Sequence, residues 1–187
     1  MRFFIALDLP EESRLELQEV QQKLKELIPQ AKLTDPEKLH LTIAFIGEQP
    51  NELKDRLVVA ITEAAKDIPP FSVTPSFIDG FPHLHTAKIL WAGVKGDTDK
   101  LYLLRHKIKD GLEDQNLGVD QRRYVPHIAL AKVNNLNLDK QREEALQKIF
   151  KEITIAPLTV NSVKLFESIP NHGFHSHNTL AQIPLIR

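Results

Sequence analysis

A chain of 187 residues, 42% of them hydrophobic and 26% charged, can bury a substantial core and has the make-up of an ordinary globular protein. Its formal net charge of −1 argues against a bulk nucleic-acid binder, so any RNA ligand would be met locally. The absence of cysteine excludes disulfides and thiol catalysis, and it fits a reducing cytoplasm, which is the expected setting.

Phe3 to Leu7 reads as a buried strand, closed by Asp8 and Pro10. The apolar start is too short for a signal peptide, and no apolar run approaches the roughly 20 residues needed to span a bilayer. A helix follows, with Leu17, Val20, Leu24 and Leu27 at helical spacing, and Pro29 stops it. Asp35-Pro36 marks a turn. Leu39 to Ile46 is a strand that carries His40 and ends at Gly47. A second helix is expected over Glu52 to Lys66, then a strand over Phe71 to Ile78.

The second half repeats this order. Lys88 to Val94 is a strand, and Gly96-Asp97 opens a helix with the stripe Leu101, Leu104, Ile108 and Leu112; Asp97 and Asp99 read as helix caps. Val125 to Val133 is a strand that carries His127, and Asn137 to Phe150 is a helix. Strands near Lys151–Val160, Ser162–Ser168 and Thr179–Ile186 complete the chain. Phe3 to His40 spans 37 residues, and so does Leu90 to His127. This reads as an internal duplication of approximately residues 2–78 and 86–160. The fold expected is α+β and bilobal: two pseudo-twofold-related lobes of antiparallel sheet with outer helices, matching strands face to face, and a groove between them holding both histidines.

Alternation along a strand puts His40 and Thr42 on one face of His40-Leu41-Thr42-Ile43, and Leu41 and Ile43 on the other, toward a core. His127-Ile128-Ala129-Leu130 repeats the pattern with alanine in place of threonine. Either histidine alone would read as structural. A matched pair suits general acid–base chemistry on a phosphodiester, because imidazole titrates near neutral pH.

With these motifs the chain resembles the two-histidine phosphoesterase superfamily, and within it the RNA 2′,3′-cyclic phosphodiesterases, also called 2′-5′ RNA ligases. That family carries a His-x-Thr-x motif in each half. The surroundings match as well: Arg2 to Pro10, Pro36-Glu37-Lys38-Leu39, Phe45-Ile46-Gly47-Glu48, Leu90-Trp91-Ala92-Gly93-Val94, and Tyr124, Pro126-His127 and Leu130-Ala131-Lys132. Two positions depart from the family. Ala129 replaces threonine, and Val125 stands where many relatives have arginine. Arg122, Arg123 and Lys132 are candidates to compensate, although alternation places Lys132 on the face opposite His127 unless the strand bulges.

The resemblance implies metal-independent opening of an RNA or nucleotide 2′,3′-cyclic phosphate to a 2′-phosphate, with His40 as proton donor and His127 as proton acceptor. Reverse 2′-5′ ligation would use the same pair. Thr42, Ile43, Ala129, Leu130, Arg123 and Tyr124 are the implied substrate-binding positions, and Phe81, Tyr124 and Phe174 are candidates to stack a base. The partner implied is RNA or a nucleotide with a cyclic phosphate end; no cofactor, metal or membrane is implied, and a monomer is expected. The alternative is a binding module of the same fold with weak or lost turnover. His83 and His85 fall in a turn. His172, His175 and His177 read as a loop that suits contact with substrate better than a metal.

Overall fold

The computed structural model describes residues 1–172 and 174–186, with the side chain of Phe174 also outside the described part. Nine strands form one curled antiparallel sheet. In chain order the elements are β1 (Arg2–Asp8), α1 (Glu11–Leu27), β2 (Lys32–Leu33), β3 (His40–Glu48), α2 (Lys54–Ala65), β4 (Phe71–Phe81), β5 (Ile89–Gly96), α3 (Thr98–Glu113), β6 (His127–Lys132), α4 (Lys140–Glu152), β7 (Leu158–Val160), β8 (Ser162–Asn171) and β9 (Phe174–Pro184). None of these helices is long and apolar enough to cross a membrane.

Across the sheet the order is β7-β4-β5-β6-β3-β1-β8-β9, with β2 beside the far end of β6. It reads the same from both edges once β5, β6, β4 and β7 are matched to β1, β3, β8 and β9. The last long strand of each half crosses over. Thus β4 pairs with β5, and β8 pairs with β1. The helices follow the same symmetry, α1 packing on α4 and α2 on α3. The lobes meet edge to edge and not face to face: β3 and β6 touch through the single register pair Leu41 and Ile128. Of the expected stripes, Leu17, Val20, Leu24, Leu101, Leu104, Ile108 and Leu112 lie buried in the main core on the helix side, and Leu27 is half-buried against it.

The element ends differ from expectation for local reasons. β6 starts at His127, since Pro126 has no N–H to give a ladder. α4 runs on to Glu152 and Pro157 follows, so only Leu158–Val160 is strand in the stretch from 151 to 160. α4 is capped by Asp139, which accepts from the Arg142 amide at 2.8 Å. Asp97 makes no side-chain cap bond to α3 and instead accepts from the Ser72 amide at 3.0 Å. The stretch expected as a loop around the C-terminal histidines is a hairpin, with His172 in the turn and His175 and His177 already in β9.

Each histidine strand carries a β-bulge at the fourth position of its motif. Ile5 pairs with Ala44 but Ala6 with Thr42, which leaves Ile43 unpaired. Leu90 pairs with Ala131 but Trp91 with Ala129, which leaves Leu130 unpaired. A bulge interrupts the ladder and reverses the alternation beyond it. Both bulges are braced by a buried polar side chain from the opposite half. Arg105 of α3 donates to the Ile43 carbonyl at 2.9 Å and to that of Asp120 at 2.7 Å. Gln21 of α1 donates to the Leu130 carbonyl at 3.0 Å and to that of Thr34 at 2.9 Å. Removing the guanidinium strands a buried acceptor and deletes two charge-assisted bonds. Arg105→Leu is therefore expected to lower stability by about 3 kcal/mol in urea unfolding; a loss under about 1 kcal/mol would show that the brace is not needed.

Candidate active site

The concave face of the sheet is set by register. From β3 it receives His40, Thr42 and, past the bulge, Phe45, opposite Asp8, Ala6 and Phe4 of β1. From β6 it receives His127, Ala129 and, past its own bulge, Lys132, opposite Gly93, Trp91 and Ile89 of β5. The bulge at Leu130 thus brings Lys132 to the groove face, which simple alternation denies it. At Gly93, across from His127, the ring of Phe77 occupies the space a side chain would need, so any larger residue there must displace that ring.

Both rings are held the same way. His40 Nδ1 lies 2.7 Å from the Lys38 carbonyl, and His127 Nδ1 lies 2.7 Å from the Val125 carbonyl. A carbonyl only accepts, so each neutral ring carries its proton on Nδ1 and leaves Nε2 as the lone pair. The hydroxyl of Thr42 donates to His40 Nε2 at 2.9 Å. Ala129 cannot do the same for His127. Burial lowers the pKa of both histidines. For His40 the Lys38 carbonyl opposes this, the charge of His127 adds to it, and Asp8 across the strand partly offsets it. For His127 only the Val125 carbonyl opposes burial.

Each histidine has an aromatic flank. Phe4 lies 5.2 Å from the His40 ring, and Phe81 and Trp91 lie 4.9 and 5.7 Å from the His127 ring. Phe81, a candidate to stack a base, therefore stands beside His127. Other expected residues are not at its surface. Ile43 and Leu130 are buried at the bulges and turn their side chains to the core. Tyr124 lies against Arg105 and Tyr102 of α3 and donates its hydroxyl to the Thr42 carbonyl at 3.0 Å, which braces β3. Its burial raises the phenol pKa. Arg122 is held by Asp120, while Arg123 is exposed with no ion pair among the described residues.

Sequence reasoning undervalued His177. Its ring lies 5.4 Å from that of His40 and 4.9 Å from Phe4. Strand alternation in 174–184 could have found it, had the histidine-rich stretch been read as strand. Among the described residues His172, His175 and His177 do not assemble into a metal-binding cluster.

A curled antiparallel sheet, doubled about its centre and bearing one anchored histidine on each central strand, defines a two-histidine phosphoesterase architecture. The chain belongs to the 2′-5′ RNA ligase superfamily, whose profile matches residues 9–171. An RNA 2′,3′-cyclic phosphodiesterase of Methanocaldococcus jannaschii is 28% identical over 170 residues, covering 90% of this chain and 91% of that protein. In fold the chain is similar to TT0787 of Thermus thermophilus, with a TM-score of 0.79, 23% identity and coverage of 99% and 98%. It is also similar to Escherichia coli LigT complexed with 3′-AMP, with a TM-score of 0.75, 22% identity and coverage of 100% and 98%.

Proposed function

We propose that this chain is an RNA 2′,3′-cyclic phosphodiesterase that opens a cyclic phosphate end to a 2′-phosphate by two-histidine general acid–base catalysis. The observation that carries this reading is the matched pair of rings, each tied back through Nδ1–H to the carbonyl two residues before it. That leaves two Nε2 atoms to handle protons on either side of a phosphorus. His127 takes a proton from water as the water oxygen bonds to phosphorus. His40, protonated, gives its Nε2 proton to the departing ribose 3′-oxygen as the P–O3′ bond breaks.

The surroundings of the two rings support these roles. Asp8 stands across the strand from His40 and favours a ring that holds a proton, whereas His127 has Gly93 in the matching place. Thr42 turns its hydroxyl to a non-bridging phosphate oxygen when substrate displaces it from His40. Lys132 and the exposed Arg123 supply positive charge for the phosphate on the side where Ala129 has no hydroxyl. No step calls for a metal. Reversal of the same proton transfers joins a 2′-phosphate to a ribose, which is 2′-5′ ligation.

The test is hydrolysis of a 2′,3′-cyclic mononucleotide and of an oligonucleotide with a cyclic phosphate end, with EDTA present and the 2′- and 3′-phosphate products resolved. A 2′-phosphate product is expected. No turnover of either substrate would favour the binding-module reading.

The pH profile follows from the lowered pKa values. His127 must be neutral, so kcat/KM rises as pH climbs through its pKa. His40 must be protonated, so kcat/KM falls as pH climbs through its own. Both values lie below the ordinary 6.5. The bell for the free enzyme is therefore expected to peak on the acid side of 6.5; a maximum above pH 7 would contradict these roles.

A further inference from the structure

We propose that His177 is a substrate-contacting residue that hydrogen-bonds the ribose–phosphate of the nucleotide whose oxygen departs beside His40. This rests on the cyclic-phosphate reading of the site and adds to it a contact that lies outside both histidine motifs.

The first ground is position. His177 lies on β9 in register with Ser168 of β8. Its ring stands edge-on to that of His40, at 79° and 5.4 Å, and is wedged against Phe4 at 4.9 Å and Phe166 at 6.5 Å. Phe4, Ala6 and Phe166 form their own small buried cluster beneath it, apart from the main core. The imidazole is thus braced by apolar rings beside the group that protonates the leaving oxygen.

The second ground is unspent hydrogen-bonding capacity. Neither ring nitrogen of His177 bonds to another described residue. His40 and His127, by contrast, each commit one nitrogen to a carbonyl. A partly buried ring with both nitrogens unused is set for a ligand. Its charge state fits. Burial and the nearby charges of His40, Lys38 and His175 push its pKa down to about 4, so it is neutral near pH 7. A neutral imidazole offers one donor and one acceptor and does not compete with His40 for the proton. A ribose–phosphate offers hydroxyl donors and phosphate acceptors, which match both.

The third ground is asymmetry. By the symmetry of the sheet, β9 corresponds to β7, yet β9 has 11 residues and β7 has 3. The β8–β9 hairpin therefore extends along one lobe alone. The His127 side is flanked by Phe81 and Trp91 instead. Two otherwise equivalent histidines are distinguished in this way: a polar contact serves the ribose at His40, and an apolar wall faces the water-activating side.

The experiment compares His177→Phe, which keeps a ring among apolar rings, with His177→Asn, which keeps a donor and an acceptor but loses the ring. Two readouts are used: calorimetric binding of adenosine 2′-monophosphate, and kcat and KM on adenosine 2′,3′-cyclic phosphate. His177→Phe is expected to weaken binding and raise KM by about 5- to 10-fold with kcat within about twofold, at an unchanged melting temperature. His177→Asn is expected to recover at least half of the lost affinity. Full affinity in His177→Phe, or weaker binding in His177→Asn than in His177→Phe, overturns the contact and leaves a packing role. Wild-type protein that neither binds the monophosphate nor turns over the cyclic phosphate overturns the underlying reading, and the contact with it.

Discussion

Replacement of either His40 or His127 by alanine is expected to lower kcat/KM on a 2′,3′-cyclic phosphate by about 10²- to 10⁴-fold, the usual contribution of a positioned acid or base. The fold should survive both changes. Each histidine is only partly buried and faces the groove, while the neighbours that hold its strand, Leu41 and Ile128, face the core and stay in place. The double substitution should cost little more than the worse single one, because acid and base act in one displacement. The roles can be separated with a phosphodiester whose leaving group is a nitrophenolate. That group departs without a proton, so His40→Ala should regain most of its lost rate and His127→Ala should not. Recovery in His127→Ala alone would reverse the assignment of acid and base, equal recovery would erase it, and a single variant within tenfold of wild type would remove that histidine from the proton transfers.

Much of this site was legible because strand chemistry is local. Short apolar runs located β1, β3, β5 and β6, and the equal offsets pointed to the matched order of strands that the sheet shows about its centre. What escaped depends on contacts between residues far apart in sequence. A bulge at Ile43 or Leu130 leaves no local mark, since both read as ordinary apolar strand residues. Yet the bulges bring Phe45 and Lys132 to the groove. Gln21 and Arg105 are polar residues on otherwise amphipathic helices, and their partners are carbonyls 109 and 62 residues away. The crossing of β4 and β8 between lobes is equally invisible, because nothing in a strand's sequence names its neighbour. The place of Tyr124 beside Arg105 and its bond to the Thr42 carbonyl are likewise long-range contacts that no local pattern gives. His177 reads from sequence only as one of three loop histidines that suit contact with substrate, because a polar, histidine-rich stretch resembles a loop, and only pairing with β8 makes it strand.

The second large effect concerns the unequal motifs. Thr42→Val keeps the β-branched shape and removes the hydroxyl. It is expected to lower kcat/KM by about 10- to 100-fold, because a hydrogen bond to a charged group contributes roughly 1.5–3 kcal/mol. In the free protein that hydroxyl donates to His40 Nε2, 2.9 Å away. Two roles are therefore separable. If Thr42 only orients the ring, the valine variant shifts the pH profile and leaves the affinity for inorganic phosphate unchanged. If it binds the phosphate, phosphate affinity falls with the rate. The reciprocal change tests the other lobe. Ala129 is partly exposed on the groove face, and its cross-strand neighbour is Trp91 where Thr42 has only Ala6. Ala129→Thr restores a hydroxyl next to His127 and is expected to raise kcat/KM by up to about tenfold. A rise with Thr42 intact would mean that this enzyme runs below the rate its scaffold permits. No rise, together with a loss of rate in Lys132→Ala, would mean that the cation brought round by the Leu130 bulge already does the work of the missing threonine.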